Sequence, residues 1–216
     1  MTRKIRIALN IILFAIVIAV WLYMFKSSES FLSSPGLTNL KYFTVLSNLY
    51  AGVTSLVWAV FAIKDKDRKD AYKTADILKY TSTVALMVTF CVVLFFLKPL
   101  YRDLPMYSGA NFWFHLIIPL WGIIEFIIFN KTKLGIKENL YTGVPAFIYG
   151  LCYLLNILIN GKGEWPDSND WYGFLNWGLP VGLVIFMMIV LISVLLGFFI
   201  RGMLKIRYKF LNQQNA

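Results

Sequence analysis

The chain has 216 residues, 59% of them hydrophobic, with a mean hydropathy of +0.67 and a formal net charge of +10. A soluble domain is only about half apolar, so this composition excludes an ordinary water-soluble enzyme. The positive charge is not gathered into a basic domain or recognition fold, which argues against nucleic acid as a partner. Two cysteines and one histidine are too few for a structural zinc centre, and no other metal or cofactor is implied.

Six apolar stretches, 5–25, 43–63, 77–98, 112–129, 141–159 and 177–203, are each long enough to cross a hydrocarbon core about 30 Å thick at about 1.5 Å per residue. Strand-like alternation in segments of about ten residues is missing, which argues against a β-barrel. The expected fold is all-α: a polytopic six-helix bundle forming a single membrane domain over 1–216. The first stretch follows Arg3, Lys4 and Arg6 and resembles a signal peptide. Its apolar run is too long for one and no Ala-x-Ala-like site follows, so it reads as a retained helix.

A loop, 26–42, carries Pro35-Gly36 and leads into the second helix, which opens with Thr44, Ser47 and Asn48. These lie at i, i+3 and i+4 and share one face. Cys91, in the third helix, and Cys152, in the fifth, read as small buried hydrophobes. The loop 99–111 carries Pro99 and Pro105. The fourth helix opens on Asn111 and His115, again at i and i+4, and Glu125 lies roughly 15 Å further along it. Glu125 is expected either to make a structural hydrogen bond, to Thr83 or Ser193, or to couple protons. Asn10, Tyr149 and Asn156 read as interhelical hydrogen-bonding groups. The loop 160–176 holds Glu164, Asp167 and Asp170, read as solvated acids without the pattern of a calcium site. Its Trp165, Trp171 and Tyr172, with Trp177, read as an interfacial aromatic belt.

Sixteen of the 21 Lys and Arg residues fall on the N-terminal tail, the 2–3 and 4–5 connections and the C-terminal end; five fall on the other side. The positive-inside rule then places both termini in the cytoplasm of a cell membrane, with the basic side facing anionic lipid headgroups.

This topology brings Thr44 and His115 to within about one turn of the same, outer, interface. An imidazole within hydrogen-bond reach of a threonine hydroxyl can take its proton as the oxygen attacks an ester carbonyl. Ser47, Asn48 and Asn111 are candidates to orient the ring or stabilise the oxyanion. No carboxylate is placed to hold the imidazole, so the expectation is a dyad. Threonine, serine and a lone histidine also serve as plain structural groups in membrane helices, and a solute transporter or lipid-binding scaffold is the alternative.

The segments Lys41-Tyr-Phe-Thr44-Val-Leu-Ser-Asn48 and Asn111-Phe-Trp-Phe-His115, followed by Pro119 and Glu125, resemble the androgen-induced gene family of multi-pass membrane proteins. That family includes the androgen-dependent regulator of tissue-factor-pathway inhibitor. The chain is similar also to the bacterial six-helix family called Pr-six-Pr. The resemblance implies a membrane-embedded threonine–histidine pair, Thr44 and His115, that hydrolyses fatty acid esters of hydroxy fatty acids. Asn111 and Glu125 fall on the family's asparagine and glutamate. The family's Trp-x-Tyr-Pro-Phe is matched loosely by Asp170-Trp-Tyr-Gly-Phe174, with Gly173 in place of proline.

Overall fold

The computed structural model describes residues 2–26, 36–64, 69–100, 102–164 and 168–214. Pro35, Lys66, Arg68, Trp165 and Asp167 lie outside them. All the long elements are helical. Helix α1 runs Thr2–Lys26 and α2 Phe43–Lys64. Helix α3 runs Lys69–Val92 and continues through a π-helical turn, Val93–Leu97, to Leu100. Helix α4 (Gly109–Phe129) contains a second π turn, Trp113–Ile117. Helix α5 (Ile136–Asn160) is interrupted by a 3-10 turn, Tyr141–Gly143, and α6 runs Leu179–Gln214. Among the described residues, six helices are long and apolar enough to cross a membrane.

Both π turns have a local cause. Proline lacks an N–H, and its ring crowds the carbonyl four residues back. Pro99 sits four residues after Phe95 and Pro119 four after His115, so each helix widens at that turn. The widened turn in α4 is the one that carries His115.

The bundle is built around α3, which packs against α2, α4, α5 and α6. It is the most buried of the six spans and α6 the least, although α6 is the most apolar. Leu191, Leu195 and Phe199 on α6 are each more than half exposed. In α3, by contrast, Asp76, Lys79, Tyr80, Ser82 and Thr89 are buried. An apolar helix outside and a polar one inside is the arrangement expected when the solvent is hydrocarbon. One apolar cluster, with Leu13, Val17, Val45, Leu86, Phe114 and Ile118, joins α1, α2, α3 and α4. Another, with Tyr80, Val84, Phe126, Ile200 and Leu204, joins α3, α4 and α6.

The bundle ends are distinct. At one, here called the terminal face, the start of α1 meets the ends of α2 and α4: Arg3 bonds the Ala62 carbonyl, and Arg207 of α6 bonds the carbonyls of Ile127, Ile128 and Asn130. These bonds satisfy carbonyls that helix ends leave without an intrahelical donor. At the opposite face, α5 stops at Gly161, whose φ of 76° suits a residue without a side chain.

Candidate functional site

His115 is buried in the π turn of α4. Its Nδ1 lies 2.6 Å from the Met106 carbonyl oxygen. A carbonyl only accepts, so Nδ1 carries the proton and donates. In the neutral ring the basic lone pair is then on Nε2. A backbone carbonyl therefore fixes the tautomer and the orientation, the task for which the sequence offered no carboxylate. Met106 precedes α4 in the loop 102–108, where the backbone bond from Met106 N–H to the Leu104 carbonyl (2.8 Å) shapes the turn.

Thr44 lies on the first turn of α2, partly exposed. Its carbonyl accepts from Ser47 Oγ (3.0 Å) and from Asn48 Nδ2 (2.7 Å). The same Asn48 nitrogen donates to the Phe114 carbonyl of α4 at 3.1 Å. Asn48 thus ties the Thr44 turn to the residue preceding His115, and both protons of its amide are engaged. That suits an orienting role better than an oxyanion one. Ser47 Oγ also meets Thr89 Oγ1 of α3 at 2.8 Å. Asn111 is buried one turn before His115. The predicted residues Thr44, Ser47, Asn48, Asn111 and His115 therefore gather at one end of the bundle. Among the described residues, no hydrogen bond joins Thr44 directly to His115.

The Asn48–Phe114 hydrogen bond joins α2 to α4, and a groove of about 340 Å³ lies between α1 and α4. It is lined by Ala19, Val20, Tyr23, Gly109, Ala110 and Trp113, not by Thr44 or His115.

Glu125 departs from expectation in its partners. It meets neither Thr83 nor Ser193; Ser193 bonds back to the Ile189 carbonyl. Glu125 accepts from Arg6 Nε (2.9 Å) and Asn10 Nδ2 (2.9 Å) through Oε1, and pairs with Lys79 Nζ (2.8 Å) through Oε2. Arg6 also pairs with Asp76 at 3.1 Å, and its guanidinium lies 3.9 Å from the centre of the Trp58 ring. Trp58 and Thr132 complete the shell of Asp76, and Ser55 and Asn10 that of Lys79. Two cations and two carboxylates, all buried, form a neutral quartet near the terminal face.

This quartet was only half visible in the sequence. The third helix read from residue 77 leaves Asp76 outside and Lys79 as a loop charge, and Arg6 counts with the tail. The helix in fact begins at Lys69. The overlooked signal is spacing: Arg6 and Asn10 at i, i+4 and Asp76 and Lys79 at i, i+3, each pair on one helix face. Removing Arg6 and Lys79 from the sixteen basic residues does not change the sense of the charge asymmetry.

Between the two polar levels, α2 and α3 are joined by Thr54–Ser82 (2.7 Å) and Tyr50–Thr81 (2.7 Å). Ala51 and Leu86, both in the apolar core, lie between the Ser47–Thr89 and Thr54–Ser82 pairs. Apolar side chains thus separate the polar contacts of α2 and α3 there.

The loop after α5 packs rather than floats. Asp170 is buried, not solvated: Tyr153 donates to its Oδ1, and Leu175 N–H (3.0 Å) and Lys162 (3.8 Å) reach its Oδ2. Tyr172 accepts from the Phe43 N–H at 3.0 Å, a free donor at the start of α2, one residue before Thr44. Tyr149 donates to the Lys41 carbonyl at 2.6 Å. Asn156 bonds Asn169 of the same loop (3.1 Å) and Asn160 of its own helix (2.8 Å) rather than a neighbouring helix. Gly173 has φ of 69° and donates its N–H to the Asp170 carbonyl at 2.8 Å. Proline can do neither. Among the described residues no cluster of His, Cys, Asp and Glu is arranged to hold a metal. No family model, curated protein or solved structure matches this chain.

Proposed function

We propose that this chain is an integral membrane hydrolase of long-chain acyl esters, with Thr44 as nucleophile and His115 as general base. Both termini lie in the cytoplasm in this reading, and the His115 end of the bundle faces the outer leaflet. The observation that carries it is the Met106 carbonyl on His115 Nδ1, which leaves Nε2 as the basic nitrogen of a buried ring at the level of the Thr44 turn. Asn48 supports the reading by holding that turn against α4. Catalytic hydrogen bonds are often long or unformed without substrate, so closure of Thr44 onto His115 when substrate binds is part of the proposal. The resemblance of the Thr44 and His115 segments to the androgen-induced gene family points to the same pair and to fatty acid esters as the substrate class.

The second reading, a transporter or scaffold, draws on the buried quartet. Charge balance and full pairing suit a structural lock better than a carrier, because a carrier needs a group that is released during the cycle. Labelling purified protein with a fluorophosphonate probe decides between them. The hydrolase reading expects labelling that is lost in Thr44→Ala and in His115→Ala; equal labelling of all three would sink it.

A further inference from the structure

Asn48 carries an acceptor that the fold does not use. The residue is fully buried. Its Nδ2 donates to two carbonyl oxygens, Thr44 O and Phe114 O. Turning the amide over would set its oxygen against both carbonyls, so the two bonds fix which atom points where. Oδ1 is then left facing away from them, and it accepts no hydrogen bond from the described residues. Leaving a buried acceptor unmatched is costly, so this position asks for a donor.

The neighbouring group also asks for one. With Nδ1 donating to Met106, His115 presents a lone pair on Nε2. Phe114, which Asn48 holds, is the residue before His115 in the same π turn. A species that satisfies two acceptors at once must carry two protons, which a water molecule does and a single hydroxyl does not.

We propose that Asn48 Oδ1 and His115 Nε2 together hold the hydrolytic water of the second half-reaction. The inference rests on the Thr44–His115 reading. In the first half-reaction, Thr44 Oγ bonds the acyl carbon, its proton passes to Nε2, and the alcohol leaves with that proton. In the second, the water oxygen bonds the same acyl carbon while Nε2 takes one of its protons. The carbon–Oγ bond then breaks, the proton returns from Nε2 to Thr44, and the fatty acid departs. Asn48 takes no part in the first half-reaction beyond holding the turn. In the second it aims the water, as a positioning residue.

The two half-reactions separate in time with a p-nitrophenyl ester. In wild type, p-nitrophenol release reports acylation and the following steady state reports deacylation. Asn48→Leu, of similar size, also loses the two bonds that hold the Thr44 turn, so it is expected to slow the initial burst and to slow the steady state by about 100-fold more, the usual scale for a proton-transfer arrangement that is lost. An acyl group should then accumulate on Thr44, visible by intact mass. Asn48→Ser guards against misfolding: its hydroxyl can bond the carbonyl four residues back, as Ser55 does to Ala51, and it too should split burst from turnover. Equal slowing of both phases in the two folded variants, or no slowing of either, overturns the assignment. A wild type with neither burst nor turnover removes the hydrolase reading itself, a different failure from the first.

Discussion

Arg6 Nε donates to Glu125 Oε1 at 2.9 Å, joining the second turn of α1 to the penultimate turn of α4 across the interior of the bundle. Asp76 and Lys79 balance this pair, so the interior near the terminal face holds two opposite charges of each sign without excess. Breaking a buried pair by removing one partner costs about 3–5 kcal/mol, whereas replacing both with apolar groups is often neutral. Glu125→Leu should therefore lower the melting temperature in detergent sharply. The double replacement Glu125→Leu with Lys79→Met should recover part of that loss. Ester hydrolysis per folded molecule should stay near wild type in the double variant. A double variant no more stable than Glu125→Leu would contradict the lock.

Orientation is accessible to thiol chemistry. In a background with Cys91 and Cys152 replaced by alanine, a cysteine at Lys133, between α4 and α5, should be shielded from an impermeant reagent in intact cells. One at Glu164, in the loop after α5, should be labelled. Both positions are exposed at the bundle surface, so labelling depends on the side of the membrane. The reverse pattern would move the His115 end to the cytoplasmic leaflet.

Much of the architecture was legible because hydrocarbon is a demanding solvent. A span must be long and apolar, and the six stretches read from sequence fall on the six helices, with ends shifted by up to eight residues apart from the longer extension of α6. What was hidden was pairing between spans. Nothing local in Glu125 says that its partners are Arg6 and Lys79 rather than Thr83, because the choice depends on which helices are neighbours. The role of the Met106 carbonyl was hidden for a similar reason, since a backbone acceptor has no signature in the sequence. The i, i+4 spacing of Thr44 and Asn48 was informative because both partners lie on one helix.

The turn over the start of α2 should be sensitive at two points. Gly173→Pro removes the N–H that bonds Asp170 and forbids a positive φ, so it should destabilise the protein by more than 1 kcal/mol. Tyr172→Phe removes the acceptor for the Phe43 N–H and should cost about 1 kcal/mol. Thermal melts of the two variants check both.

Alkali offers a separate test of the same contact. Burial chiefly, and then the neighbouring Tyr149, Phe43 and Tyr42, set the Tyr172 phenol, which is pushed up to about 12. The folded state prefers the neutral phenol more than the unfolded state does. That preference stabilises the fold fully below the ordinary tyrosine value of 10.0 and is lost as pH rises through about 12. Between pH 9 and 11, Tyr172→Phe should lose less stability than wild type. An identical loss in both proteins would remove Tyr172 as a contributor.

The central claim is that Thr44 and His115 act as one catalytic unit. Its most direct test is a double-mutant cycle for acyl ester hydrolysis by purified protein in liposomes. Thr44→Ala and His115→Ala should each reduce kcat/KM by about 100-fold or more, and the double variant should be no worse than the poorer single one, because groups that act together are not additive. Wild-type turnover no higher than that of Thr44→Ala on any acyl ester, or two single effects that multiply in the double variant, would contradict the claim.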